Sequence, residues 1–507
     1  MPGTSFHHVQ LRKLLTEAEF VNCSDLSPTS VTCDSRAVVP GSTFVAIPGS
    51  QTDGHDFIDQ ALANGATSVI TSRPVELSVP GCITPCTATA FARVSAALQL
   101  GPQPPLTCVG VTGTNGKTTT TWMLRSILAV AGHPCGLLGT IEYGDGVSSE
   151  PAHMTTPPAD RLADMMRSMI DHGTSHCVME VSSHALVQKR CAGVDLAAAA
   201  ITNITQDHFD YHKSAGEYVK AKIGIKDLLH TDAPLLINLG DAGCRSVLSE
   251  VAQTHSVVTF GIDQPDAELN AGVVRASHRS QHIELHLAQG DATVRLRLIG
   301  RHNAENALLA AGLAEQLGVR LKDIVDGLEK LHNVPGRLER IDEGQSFQVF
   351  VDYAHTADGL KHVLSTVREC VPGRVICVFG AGGDRDRSKR SEMGRVAAAA
   401  DVPIVTSDNP RTESPLEIIN DILEGAPQRC HFVSEVNRRV AIERAFALAE
   451  PGDAVLIAGK GHENGQQFAN AVVEFDDRAV CRELLRQSHS CSPSAWNPSS
   501  GSLARTA

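Results

Sequence analysis

The chain has 507 residues, of which 42% are hydrophobic and 4% aromatic, and a formal net charge of −13. This length exceeds what one hydrophobic core serves, so two or three domains are expected, and no uninterrupted apolar run of about 18 residues offers a membrane span. The acidic balance argues against a general nucleic-acid binder, which needs clustered lysine and arginine, so an anionic ligand must be held by local groups.

The first fifteen residues have neither an apolar stretch nor the acid-poor, arginine- and serine-rich look of a transit peptide, and nothing points to export. Fourteen cysteines, among them Cys108, Cys135, Cys177, Cys191 and Cys377, stand singly and mostly in apolar runs without CxxC spacing. They read as buried free thiols, and a cytoplasmic location fits that usage.

Residues 1–103 form a first regime that closes at the seam Gly101-Pro102-Gln103-Pro104-Pro105. In the second regime, 104–334, a strand-like run at 106–111 leads through a glycine-rich turn into a helical pattern at 121–130. Strand-like runs at 177–181, 197–204 and 235–239 then alternate with helical patterns at 161–172 and 217–229. Such alternation implies a parallel sheet covered on both faces. Two-residue alternation at 282–287 and 293–298 predicts a small antiparallel ribbon beside it. The third regime, 335–487, repeats the α/β pattern, with strands expected at 348–351, 375–379, 404–406 and 454–457. The serine-rich stretch 488–507 lacks periodic apolar residues and is expected to be disordered. The fold class is therefore α/β in three domains.

Gly113-Thr114-Asn115-Gly116-Lys117-Thr118-Thr119-Thr120 reads as a phosphate cradle between strand and helix. Glycines let the backbone aim several N–H groups at one anion, and the helix N-terminus adds positive potential. Lys117 would meet the β/γ-phosphates and the Thr118 hydroxyl a Mg²⁺ ion. Val111 stands where the general P-loop pattern has its first glycine, which leaves the shorter GxxGK[ST] form and an ordinary glycine-rich turn as the alternative. Met179-Glu180-Val181-Ser182-Ser183-His184 ends a strand-like run, where doubly wound sheets bind ligands, and Glu180 is placed to ligate Mg²⁺. Asp207, His208, Asp210 and His212 gather two carboxylates and two imidazoles, either as a solvated loop or, beside a nucleotide, as part of a metal site.

In the third regime Gly380-Ala381-Gly382-Gly383-Asp384-Arg385-Asp386 and Ser407-Asp408-Asn409-Pro410-Arg411 follow successive strands and share one sheet edge. Their arginines can grip carboxylates in bidentate fashion, or else pair with Asp384 and Asp386. Gly459-Lys460-Gly461-His462-Glu463 closes another strand and adds an acid that could face an ammonium. Arginines and a glutamate in one pocket would suit an amino acid.

These segments, in order with Asp34-Ser35-Arg36, Phe44-Val45-Ala46, Thr155-Thr156-Pro157, Gly300-Arg301-His302-Asn303, Asn306, Pro335-Gly336-Arg337 and Asp352-Tyr353-Ala354-His355, closely resemble the ATP-dependent Mur ligases of peptidoglycan assembly. The resemblance spans Asp34 to Glu463, and its specificity lies in the ordered set. It implies an N-terminal acceptor-binding domain (1–103), a central P-loop ATPase-like domain (104–334) and a C-terminal Rossmann-like domain for the amino acid (335–487).

Position by position, the resemblance implies that Gly113, Thr114, Asn115, Gly116, Lys117, Thr118 and Thr119 hold the ATP phosphates. Asn303 and Asn306 would meet adenine, with Arg337 on the phosphates and Asp352 on the ribose. Thr118, Glu180, His208 and a CO₂-derived carbamate on Lys222 would bind Mg²⁺; neighbouring Lys220, or an unmodified surface lysine, is the alternative. Ser35, Thr155, Thr156, Ser182, Gln188 and Arg190 would hold the UDP-sugar acceptor. Arg385, Asp408, Asn409, Pro410, Arg411, Gly459 and Glu463 would hold the incoming amino acid. Within the family the DNPR sequence, here 408–411, accompanies meso-diaminopimelate, so Arg411 would select that substrate. The sequence departs from the common DYAHTPD form at Ala357, which touches none of these roles.

The implied reaction is amide ligation. ATP phosphorylates the free D-glutamyl carboxylate of UDP-N-acetylmuramoyl-L-alanyl-D-glutamate, and the amine of meso-diaminopimelate displaces phosphate from the acyl phosphate. Lys117, Lys222 and His355, the last as a candidate base, would carry catalysis by positioning, charge stabilisation and proton transfer. Domain closure would exclude water. A monomer acting on small molecules, without nucleic acid or stable membrane association, is expected. Folylpolyglutamate synthetases and the ligase of the next Mur step are rivals that DNPR and GKGHE disfavour. A silent scaffold would be expected to lose Lys117, Glu180, His208 or Lys222, and all four are present.

Overall fold

The structure is a computed structural model that describes residues 9–49, 52–205, 212 and 214–490. The described residues divide into two compact units, one reaching to residue 331 and one from 332 onward, with the short segments 276–281 and 297–300 belonging to the second.

The first unit holds two sheets. In the smaller, the strands run in the order Glu19–Val21, Gly81–Ile83, Ser68–Thr71, Thr43–Val45, Val31–Thr32, with only the first antiparallel to its neighbour. Side chains alternate across this sheet: Val45, Ile70 and Cys82 pack with Phe91, Val94 and Leu98 of helix Thr87–Leu100, while Phe44 and Val69 pack with Val38, Ile58 and Leu77 on the other face.

Among the described residues the larger sheet has eleven strands. Thr107–Thr112 lies between His176–Glu180 and Leu196–Ile201, parallel to both, and Leu235–Asn238, Val257–Ile262 and Leu269–Ala276 continue in parallel. Beyond Cys135–Leu138, the opposite side ends in the antiparallel strands Glu142–Gly144 and Ser149–Pro151. Gln281–Leu287 and Gly290–Leu296 occupy the expected ribbon, but they extend the main sheet rather than stand apart from it. The helical pattern at 217–229 resolves into helix Ala215–Ile223 and a tighter helix Gly224–Leu228. The change begins at Gly224, the poorest helix former of the segment.

The second unit orders its sheet Glu339–Ile341, Gln348–Asp352, Ala454–Ala458, Val375–Phe379, Val402–Val405, Val433–Ser434, parallel except for the first strand. Phe350, Cys377, Phe379 and Leu456 feed one core, and Val349, Val351, Val378 and Ile457 the other. That two-sided burial is why these strands read as unbroken apolar runs. Helix Asp477–Ser490 passes the point where a disordered tail was expected to begin, and residues 491–507 lie outside the described set.

In each unit, successive parallel strands deliver their carboxyl ends to one edge. Thr112, Glu180 and Ile201 do so in the first, and Asp352, Phe379, Val405 and Ala458 in the second. Among the described residues every cysteine is a free thiol, and no helix is long and apolar enough to cross a membrane. Leu456→Ala, on a strand with parallel neighbours on both sides, should cost about 2–5 kcal/mol of stability, read as a lower urea midpoint.

Candidate active site

Gly113 and Gly116 take positive φ, +144° and +87°, as the phosphate loop leaves its strand and enters helix Lys117–Val130. A Cβ at Gly113 would overlap the Thr202 hydroxyl, and one at Gly116 would overlap Asn306 Oδ1. The next strand's loop braces the turn. Thr114 N–H donates to the Asn203 carbonyl (2.9 Å), Asn115 N–H to Asn203 Oδ1 (2.9 Å), and the Thr202 hydroxyl to the Asn115 carbonyl (2.6 Å). Lys117 Nζ lies across the loop, donating to the carbonyls of Gly113 (2.8 Å) and Thr114 (3.0 Å). Thr118 and Thr119 are buried in the first helical turn. Asn306 accepts from the Thr120 hydroxyl (3.3 Å) and donates to Asn303 (3.2 Å), so both asparagines stand beside this helix.

Glu180 is only 1% exposed. Its Oε2 accepts from the hydroxyls of Thr118 (3.0 Å) and Thr140 (2.9 Å), and its Oε1 from Thr140 N–H (2.8 Å). Hydroxyl and carboxylate oxygens in contact at a phosphate loop are the hard donors that Mg²⁺ prefers. Asp207, His208 and Asp210 lie outside the described residues. His212 is described; its Nε2 contacts the Ser183 hydroxyl at 3.0 Å.

Burial separates the two lysines of the following helix. Lys220 is exposed, whereas Lys222 is 2% exposed, with Nζ 4.4 Å from the Tyr218 ring centroid. The Tyr218 hydroxyl lies 3.2 Å from that of Thr114, linking Lys222 to the phosphate loop.

The acceptor candidates gather around Glu180, with Ser35 as the exception. The Thr156 hydroxyl donates to the Glu180 carbonyl (2.8 Å) and accepts from Ser182 N–H (3.0 Å), while the Thr155 and Thr140 hydroxyl oxygens lie 3.2 Å apart. Arg190 donates to the Thr156 carbonyl (2.8 Å) and to Gln188 Oε1 (2.6 Å). Ser35 belongs to the small sheet's domain, where its buried hydroxyl donates to Gln60 (2.9 Å).

In the second unit, Asp352 accepts backbone N–H donors from Leu338 (2.6 Å) and Ala354 (2.7 Å). Burial raises its pKa, and the Arg337 cation opposes that shift. Arg337 stacks over Tyr353 at 4.6 Å, and burial with nearby Glu463 raises the Tyr353 pKa. His355 is exposed, its Nδ1 2.8 Å from the Tyr353 carbonyl.

The arginines at the amino-acid edge do not pair with the neighbouring aspartates. Asp384 accepts from the Thr412 hydroxyl (2.6 Å), and Asp386 from that of Ser388 (2.6 Å). Arg411, at φ +51°, donates to the Gly383 carbonyl (2.6 Å), and a Cβ on Gly382 would approach both Arg411 and Arg385. Among the described residues, exposed Arg385 makes no hydrogen bond or ion pair. Asn409 donates to Glu463 (2.8 Å), Gly459 abuts Asp408, and Pro410 precedes the left-handed turn.

Sequence reasoning missed Thr140, Tyr218, Arg390 and Lys460 as contributors. Arg390 is 1% exposed and joins Glu413 (2.8 Å) to Asp421 (2.8 Å) beneath the two loops. Only the position of Lys460 between the motif glycines could have drawn attention to it.

Known proteins are similar to this chain along most of its length. The model described as "Mur ligase family, catalytic domain" matches residues 28–103, "Mur ligase middle domain" matches 111–314, and "Mur ligase, glutamate ligase domain" matches 336–461. A Bacillus licheniformis protein named UDP-N-acetylmuramoyl-L-alanyl-D-glutamate:2,6-diaminopimelate ligase is 40% identical over 487 residues, covering 94% of this chain and 99% of its own. A Gloeobacter violaceus protein of the same name is 40% identical over 496 residues, covering 97% and 100%. A solved structure of a ligase so named matches with a TM-score of 0.70 and 30% identity, over 96% of this chain and all of its own. A MurF ligase from Thermotoga maritima in complex with ADP, 19% identical with a TM-score of 0.59 over 90% of this chain and 96% of its own, shares the fold.

Gly113→Ala should impose roughly 1–3 kcal/mol of strain on the phosphate loop, seen as weaker nucleotide binding by calorimetry. Hydrogen bonds from Arg390 hold the Glu413 pKa at about 2 against an ordinary 4.5. That lowered value contributes stability present above pH 4.5 and lost as pH falls through about 2. Glu413→Gln should therefore flatten the pH dependence of unfolding in that window.

Proposed function

Because the chain belongs to the Mur ligase family of ATP-dependent, ADP-forming ligases, we propose that it adds meso-diaminopimelate to UDP-N-acetylmuramoyl-L-alanyl-D-glutamate, as a cytoplasmic monomer making the peptidoglycan precursor. The substrate assignment rests on Arg411, held by the Gly383 carbonyl with its guanidinium beside Gly382 and Arg385 alongside. A carboxylate ligand suits that pair of cations, and Glu463 suits an ammonium.

The phosphate-loop N–H groups and the helix N-terminus hold the ATP phosphates, Lys117 moves from the loop carbonyls to the β/γ oxygens, and Asn303 and Asn306 take the adenine. Thr118 and Glu180 would hold Mg²⁺, and the family resemblance adds His208 and a carbamylated Lys222 as further ligands. When bound, the metal neutralises phosphate charge. By the family resemblance, Arg337 would meet the phosphates and Asp352 the ribose. Ser35, Thr155, Thr156, Ser182, Gln188 and Arg190 hold the acceptor.

An acceptor carboxylate oxygen attacks the γ-phosphorus, the bond to the bridging oxygen breaks, and ADP leaves. The neutral amine of diaminopimelate then attacks the acyl carbon and expels phosphate. With Nδ1–H donated to the Tyr353 carbonyl, His355 keeps its Nε2 lone pair to take the amine proton.

Phosphate release with ATP, Mg²⁺, bicarbonate and the UDP-dipeptide should require meso-diaminopimelate and fail with L-lysine; the reverse preference would sink the substrate assignment. Arg411→Ala should cost about 2–5 kcal/mol of diaminopimelate binding, read as a higher KM.

A further inference from the structure

Lys460 is an ion buried in the second unit. Its side chain has 0% exposure, although it lies in a loop at a sheet edge. A buried ammonium needs a charged partner and hydrogen-bond acceptors. Nζ finds them in Glu463 Oε2 at 3.0 Å and Asn409 Oδ1 at 2.9 Å. Asn409 Nδ2 closes the triangle by donating to the same Glu463 oxygen at 2.8 Å.

This triangle decides which way the Asn409 amide faces. Lys460 Nζ can only donate, and so can Gln467 N–H, which meets the same Asn409 atom at 3.0 Å. That atom must be the carbonyl oxygen, so the NH₂ group is turned to Glu463. One of its two N–H bonds goes to Glu463 and the other is left for a ligand acceptor. Glu463 accepts both internal bonds on Oε2, leaving Oε1 for a ligand donor. A donor and an acceptor side by side match the carboxylate and ammonium of one amino-acid centre.

We propose that Lys460 is a positioning residue for the amino-acid substrate, locking the Asn409 amide and the Glu463 carboxylate into the orientation that reads a zwitterionic centre. The role rests on the amino-acid-site reading given under the proposed function. Lys460 supplies no proton and touches no reacting atom. Without it, Asn409 Oδ1 keeps the Gln467 N–H and Glu463 Oε2 keeps the Asn409 amide, but each loses its charge-assisted bond, so the amide and the carboxylate are held less firmly in the orientation that meets the substrate.

Lys460→Met and Lys460→Gln are compared with wild type in the phosphate-release assay. Both should raise the KM for diaminopimelate, Lys460→Met by more than about tenfold, with kcat and the KM values for ATP and the UDP-dipeptide unchanged. The glutamine can still donate to Asn409 and should recover part of the loss. In a Glu463→Gln background, Lys460→Met should add little, because the two act as one unit. An unchanged diaminopimelate KM in folded Lys460→Met, a uniform loss across all three substrates, or full additivity with Glu463→Gln would each overturn the role. Failure of both variants to fold would assign Lys460 to stability and likewise overturn it. A wild-type chain silent with every amine would remove the parent reading, whereas an active wild type with unaltered variants overturns this proposal alone.

Discussion

A carboxylate shut away from water is tolerated only where donors meet its oxygens, and Glu180 satisfies this by gathering three loops around itself. Its side chain takes the Thr118 hydroxyl from the start of the phosphate-loop helix and both polar groups of Thr140 from the neighbouring strand's loop. Its own carbonyl takes the Thr156 hydroxyl, which in turn holds Ser182 N–H. Nucleotide, metal and acceptor candidates are thus placed relative to one another by one buried anion. Moving the Thr118 or Thr140 segment would take donors from the buried carboxylate, and moving the Thr156 segment would take one from the Glu180 carbonyl.

The second unit solves the same problem with buried cations. Arg438 is fully buried against Asp477 (2.7 Å) and the Ala458 carbonyl (3.0 Å), at the end of the strand that leads into Gly459. Arg390 ties Glu413 to Asp421 beneath the arginine-bearing loops, and Lys460 joins Asn409 to Glu463. None of these three can also serve as a ligand's counter-ion without giving up a buried partner. Arg385, by contrast, is exposed and unpaired among the described residues, and the Arg411 side chain donates to a neutral carbonyl.

The division between legible and hidden features follows from this pairing. Gly113 and Gly116 announced the phosphate loop because a positive φ is a local demand that only glycine meets cheaply. The apolar runs announced the parallel strands because residues buried on both faces carry no polar alternation. The split of the helical pattern at Gly224 was missed, since its remaining residues keep helical spacing across the change. The short strands at 142–144 and 149–151 were missed because three residues are too few to show a period.

The sequence by itself determined the order of strands, turns and motif residues, because backbone conformation and hydrophobic period act over a few neighbouring positions. Only the tertiary structure decided that Lys222 is buried while Lys220 is exposed, that Asp384 and Asp386 take hydroxyls rather than arginines, and that the Asn409 amide faces Glu463. Each of these depends on which groups the folded chain brings within reach of one another. Partners such as Thr118 and Glu180, 62 positions apart, meet only when the sheet brings strand ends together.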